Sequence, residues 1–133
     1  MQVKASLQTA HVAPRKMAEV AALIRARSVS DALVILQHTP RRAAPTLVKV
    51  LLSAKANAMN NFDLAEDSLV ITSVEVNTAG SMKRMRAVAR GSSAPFQRRL
   101  SHISICLDGD VKAKKEATTD KTTVKKGKHG PKS

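Results

Sequence analysis

Aromatic side chains are nearly missing from this sequence: Phe62 and Phe96 are the only two, and there is no Trp or Tyr. The core must therefore be aliphatic. Apolar residues still make up 43% of the chain, which is enough to fold. Recognition of bases on aromatic platforms is nearly excluded by the same scarcity. A lone cysteine, Cys106, permits no internal disulfide and no cysteine-based zinc site, and it fits a reducing compartment. The four histidines (His11, His38, His102, His129) lack metal-ligand spacing. His102 stands among serines with no acid to orient it for catalysis, so a structural or RNA-contacting role is expected. Lys126-Gly127-Lys128-His129-Gly130 lacks the strand–loop–helix context of a phosphate-binding loop. No enzyme, cofactor or metal is expected. The N-terminus has no apolar signal run, and no stretch approaches the roughly 20 apolar residues of a membrane span. A soluble cytosolic or organellar protein with no membrane partner is expected.

Acidic residues are scarce as well. The chain of 133 residues carries 23 Lys and Arg against 10 Asp and Glu, a net charge of +13. Self-repulsion of this size opposes compaction, and a polyanion relieves it, so nucleic acid is the leading partner. A merely solvated basic surface is the plain alternative. One domain is expected at this length. Residues 112–133 hold eight lysines and almost nothing apolar, so they read as a disordered tail that adds unspecific phosphate contacts or solubility. The body is residues 1–111, with 15 basic and 8 acidic residues, so its charge is not a tail effect.

Within the body, Val3, Ala5 and Leu7 alternate with Gln2, Lys4, Ser6 and Gln8, as in a half-buried strand. Pro14 suits the first position of a helix. Met17, Val20, Ala21 and Ile24 then share one helical face, leaving Arg15, Lys16, Arg25 and Arg27 off that stripe. Ser28 and Asp31 have capping-box spacing before a second helix carrying Val29, Ala32, Leu33 and Leu36, which ends at Thr39-Pro40. A longer third helix carries Leu47, Leu51, Ala54 and Ala58, widened by Val48 and Val50, with Lys49 and Lys55 outside the stripe. It starts at Pro45, or at Pro40 with a kinked first turn. Asn57 and Asn60 suit either an RNA contact or a cap. Two β-branched runs follow. Residues 69–77 place Val70, Val74 and Val76 on one side, and residues 100–107 place Ile103, Ile105 and Leu107 on one side. Strands and helices without βαβ alternation indicate an α+β fold.

The connector between these runs is too long for an ordinary hairpin turn of two to five residues. It carries Lys83, Arg84, Arg86, Arg90, Arg98 and Arg99, and no acid occurs from Val76 to Leu107. It is either a disordered loop or a ribbon ordered by a partner. As a ribbon with arms of about nine residues, it would reach about 30 Å. Arginine forks suit bidentate phosphate contact, and the small residues among 87–94 allow close backbone approach.

These segments resemble the bacterial large-subunit ribosomal protein twenty-two family over residues 2–108. Pro14-Arg15-Lys16, Leu23-Ile24-Arg25, Ala32-Leu33, Ile35-Leu36 and Thr39-Pro40 match its first two helices. Residues 50–58, reading Val-Leu-Leu-Ser-Ala-Lys-Ala-Asn-Ala, match its third. Ser81-Met82-Lys83-Arg84 opens its hairpin, and Arg98-Arg99 with Ser101-His102-Ile103 closes it. The resemblance implies three helices packed on a small, mostly antiparallel three-stranded sheet, with a long β-hairpin over about residues 80–99. It implies a structural constituent of the large subunit, cytoplasmic and in the ribosome. Its partners would be large-subunit ribosomal RNA, neighbouring ribosomal proteins and the nascent polypeptide. The residues expected to meet RNA are Arg15, Lys16, Arg25, Arg41, Arg42, Lys55, Asn57, Lys83, Arg84, Arg86, Arg90, Arg98, Arg99 and His102. Ala87, Val88, Ala89, Arg90, Gly91 and Ser92 would form a tip lining the exit tunnel. That tip departs from the family's usual Pro-Arg-Ala-x-Gly-Arg run, and Pro95 and Phe96 are unusual too. A free architectural nucleic-acid-binding protein is the competing reading; the net charge and the tail fit it, the long hairpin does not.

Overall fold

The alternating segment at the N-terminus forms strand β1 (Gln2–Ala10) in the computed structural model, which describes residues 1–111. The lysine-rich segment 112–133 lies outside the described residues. Helix α1 (Pro14–Ile24) begins with its proline, whose missing N–H has no partner to lose there. It buries Met17, Val20, Ala21 and Ile24, the four residues that the 3.6-residue period selects. Helix α2 (Val29–His38) is capped by Ser28, whose Oγ accepts a hydrogen bond from the Asp31 N–H at 3.1 Å. Thr39 closes that helix by donating its hydroxyl to the Ile35 carbonyl at 2.7 Å.

Helix α3 (Ala44–Asn61) places Pro45 in its first turn, so Pro40 stands outside the helix. Leu47, Val50, Leu51, Ala54 and Ala58 are buried along it. The helix continues to Asn61, so neither Asn57 nor Asn60 caps it. A single 3-10 turn, Glu66–Ser68, leads into β2 (Val70–Ala87), which pairs with β3 (Ser93–Asp108). The sheet is antiparallel throughout, with order β1-β3-β2, and the fold is α+β as expected.

All three helices cover one face of the sheet. Val3 and Ala5 from β1, Ile71 and Val74 from β2, and Ile103, Ile105 and Leu107 from β3 meet the helices in a single aliphatic core. Truncating such a residue, Leu51 for example, removes contacts and leaves a cavity, which costs about 2–5 kcal/mol.

Three bulges set the details. Gln8 and Thr9 together oppose His102, so Leu7 and Ala10 both turn inward. Thr9 adopts φ 60° there, and its N–H donates to His102 Nδ1 at 3.1 Å. Thr72 is the extra residue of a second bulge. It reverses the side on which β2 residues point, so Ile71 is 0% exposed and Val70 is 45% exposed. Val70 therefore does not share a side with Val74, contrary to strict alternation. Ala79 and Gly80 oppose Leu100 in the third bulge, at the point where the strands leave the body.

Beyond that bulge the strands continue as a two-stranded ribbon. Seven consecutive pairs run from Ser81 with Arg99 to Ala87 with Ser93. At about 3.3 Å per residue the paired part is about 23 Å, and the turn of residues 88–92 lies beyond it. The turn holds a short 3-10 segment, Ala89–Gly91, with Arg90 at φ 57° and Gly91 at φ 70°.

Carboxylates gather at the other end of the sheet. Asp63, Glu66 and Asp67 lie in the connection between α3 and β2. Asp108 and Asp110 lie beside it, tied by the Ala65 N–H to Asp110 carbonyl bond of 3.0 Å and the bridge of Leu64 to Val111. These are five of the body's eight acids. A hydrogen bond from the Met1 amino group at 2.6 Å holds the Asp108 carboxyl below the usual carboxylate range, helped by the Gly109 N–H.

Candidate nucleic-acid interface

Side chains alternate across the ribbon, so its two faces differ. Met82, Arg84 and Arg86 share one face with their cross-strand partners Arg98, Phe96 and Ala94. Lys83 and Arg99 lie on the other, among Ser81, Met85, Ala87, Ser93, Pro95 and Gln97. No residue between Ser81 and Arg99 is buried, and none is acidic. Arg84 Nη1 donates to the Lys83 carbonyl at 2.9 Å, and the Arg86 guanidinium lies 5.5 Å from the centre of the Phe96 ring. None of these cations has a carboxylate partner among the described residues. They are open to phosphate.

At its base the ribbon faces the body across a groove of about 830 Å³. Lys16 from α1, with Arg41 and Arg42 from the connection between α2 and α3, lines one wall. Arg98 and Arg99 line the other. No acid lines the groove. Glu19 reaches Arg41 only at 3.9 Å, an exposed contact of little strength. The fold thus brings together five cations that are up to 83 residues apart in sequence, counting from Lys16 to Arg99. Gathered this way, they suit a site where RNA phosphates converge. Ser101 fixes the geometry. It is fully buried, and its hydroxyl donates to the Val12 carbonyl at 2.9 Å, pinning the β1–α1 loop against the ribbon's base.

The other expected contact residues divide. Arg15 is exposed on the first turn of α1, next to Lys16. Arg90 is exposed at the ribbon's tip with Ala87, Val88, Ala89, Gly91 and Ser92. His102 lies at the ribbon's base, where Nδ1 is already used by Thr9. Arg25 spends one nitrogen on the Val74 carbonyl at 3.1 Å, latching the end of α1 to β2. Lys55 is paired with Glu66 and sits toward the acidic end, so its charge is engaged. Asn57 is half-buried on α3, away from the groove. Ser101, Met82 and Phe96 were not among the expected site residues. The one aromatic inside an acid-free arginine stretch was the available signal for Phe96.

Among the described residues no group of three His, Cys, Asp or Glu is placed to hold a metal, and no helix is long and apolar enough to cross a membrane. A small aliphatic body bearing a projecting, uncompensated basic ribbon defines an RNA-binding protein class in which shape and charge do the work. The family model described as ribosomal protein L22p/L17e matches residues 5–108, and the chain belongs to that family. The family is one of non-catalytic structural proteins, and this chain is not an enzyme. It is 48% identical over 104 residues to the large ribosomal subunit protein uL22 of Pediococcus pentosaceus, covering 78% of this chain and 88% of that one. The uL22 protein of Lactobacillus gasseri is 45% identical over 104 residues, covering 78% and 89%. That of Oceanobacillus iheyensis is 43% identical over 107 residues, covering 80% and 95%.

Proposed function

We infer that this chain is a structural constituent of the large ribosomal subunit that binds and stabilises large-subunit ribosomal RNA, with its ribbon running into the RNA. The tip, residues 87–92, lines the nascent-peptide exit tunnel. The body, residues 1–111, sits at the subunit surface among neighbouring ribosomal proteins in the cytoplasm, and the lysines of residues 112–133 add phosphate contacts. One observation carries this reading. The ribbon projects beyond the core, carries six cations and no acid, and meets a second set of cations across the groove at its base. Such a ribbon gains nothing from its own body and is stabilised by a surrounding polyanion.

The test has two stages. The protein should remain on large subunits after a high-salt wash and sedimentation. Its absence would favour a free architectural protein. A photo-crosslinker at Val88 or Arg90 should then capture a nascent chain on translating ribosomes. Capture of ribosomal RNA alone would place the tip outside the tunnel lumen.

A further inference from the structure

The ribbon holds one aromatic ring, and its surroundings are unlike the rest of the ribbon. Phe96 stands directly opposite Arg84 and diagonal to Arg86, whose guanidinium lies 5.5 Å from the ring centre. Met82 lies on the same face, and Arg84 Nη2 reaches its sulfur at 3.5 Å. Phe96 is half-buried yet belongs to no core: the aliphatic cluster of the body does not include it. It walls two hollows. One is the basic groove against the body, of about 830 Å³. The other is a hollow of about 660 Å³ on the ribbon itself, shared with Met85 and Pro95. Both have cations at their edges, and neither is lined by a carboxylate.

A phosphate-only ribbon needs no ring here beyond the modest cross-strand contacts that Phe96 makes with Arg84 and Arg86. Apolar surface exposed among arginines in water is a cost, and Phe96 adds no stability to the body. A π-surface with the Arg86 guanidinium over it and Arg84 as its cross-strand partner suits a different ligand: an unstacked nucleobase. The base lies against the ring and a guanidinium, while its own phosphates meet the neighbouring cations. We propose that Phe96, with Arg84 and Arg86, is a stacking site for one unpaired base of the ribosomal RNA. This rests on the RNA-binding reading above and adds to it a specific contact. The scarcity of aromatics excludes a platform for a row of bases, but it leaves room for a site that takes one. Met82 lies beside the ring on the same face, and the neighbouring Pro95 also lines both hollows.

The full-length chain and protein-free large-subunit ribosomal RNA serve as the probe pair. Irradiation at ultraviolet wavelengths joins a stacked base to its aromatic partner, so mass spectrometry of the digested complex should find a nucleotide on the Phe96 peptide. Phe96→Leu should weaken binding about tenfold, in the range of a lost base–aromatic stack. The slope of affinity against salt should stay unchanged, because no phosphate contact is removed. Phe96→Tyr should bind like the unaltered protein, which separates stacking from bulk. Unchanged affinity in Phe96→Leu, with no nucleotide on the Phe96 peptide, overturns the stacking site while a steep salt slope keeps the phosphate reading standing. A flat salt slope in the unaltered protein overturns both.

Discussion

A cation in this protein is defined by what it already touches. Lys55 carries the same charge as Arg84, yet it is paired with Glu66, and Arg25 ties the end of α1 to the Val74 carbonyl of the body, whereas the carbonyl that Arg84 meets lies on the ribbon itself. Lys83, Arg84 and Arg86 have no carboxylate partner among the described residues, and it is these that are free to displace counterions from RNA. Replacing all three with alanine should lower the slope of log affinity against log salt by about 2 to 3, since each lost phosphate contact removes somewhat less than one unit. Binding isotherms across a salt series measure this, and an unchanged slope would mean that these side chains do not meet phosphate. The sequence displays each charge but not its partner. Glu66 lies eleven residues beyond Lys55, across the end of a helix whose length was not legible. The buried role of Ser101 was equally hidden, because a serine on a strand carries no sign of the carbonyl it will meet.

At the scale of elements, legibility followed periodicity. The stripes of α1 and α2 were readable because the core enforces a 3.6-residue repeat on them. The inward sides of β1 and β3 were readable for the matching reason at period 2. A bulge has no period, so Val70 was placed with the wrong neighbours. The ribbon has no apolar alternation, and its order is supplied by the ladder of backbone hydrogen bonds, which leaves no trace in side-chain pattern. Body and ribbon are therefore distinct elements joined at the bulge of Ala79 and Gly80. Replacing residues 81–99 with a two-residue Asn-Gly turn should leave the body folded, because none of the replaced residues belongs to the core. Thermal unfolding should shift by only a few degrees, as expected for a change of about 1 kcal/mol or less, while affinity for ribosomal RNA should collapse. A large loss of stability would show that the ribbon supports the body after all.

At the scale of the whole molecule, charge is segregated along the sheet among the described residues. Cations crowd the ribbon and the groove at its base, and five carboxylates gather where β2 begins and β3 ends. Carboxylates there disfavour the approach of phosphate to that end of the body. Converting Asp63, Asp67 and Asp110 to asparagine, which leaves the Lys55–Glu66 pair in place, should raise affinity for unrelated RNA several-fold. Affinity for large-subunit RNA should change little if its contacts lie at the ribbon and its groove, as proposed. Competition binding with bulk transfer RNA checks this, and an equal rise for both RNAs would mean that the acids exclude nothing.

The same separation has a consequence for how the protein arrives. Among the described residues, cations at one end of the sheet and carboxylates at the other give the body a dipole along the sheet, and the field of a polyanion exerts a torque on it. For residues 1–111 that torque favours the ribbon leading, while the eight lysines of residues 112–133, which follow the carboxylates in sequence, add an attraction of their own. If the ribbon enters an RNA fold as proposed, its search then starts from a biased orientation rather than a random one.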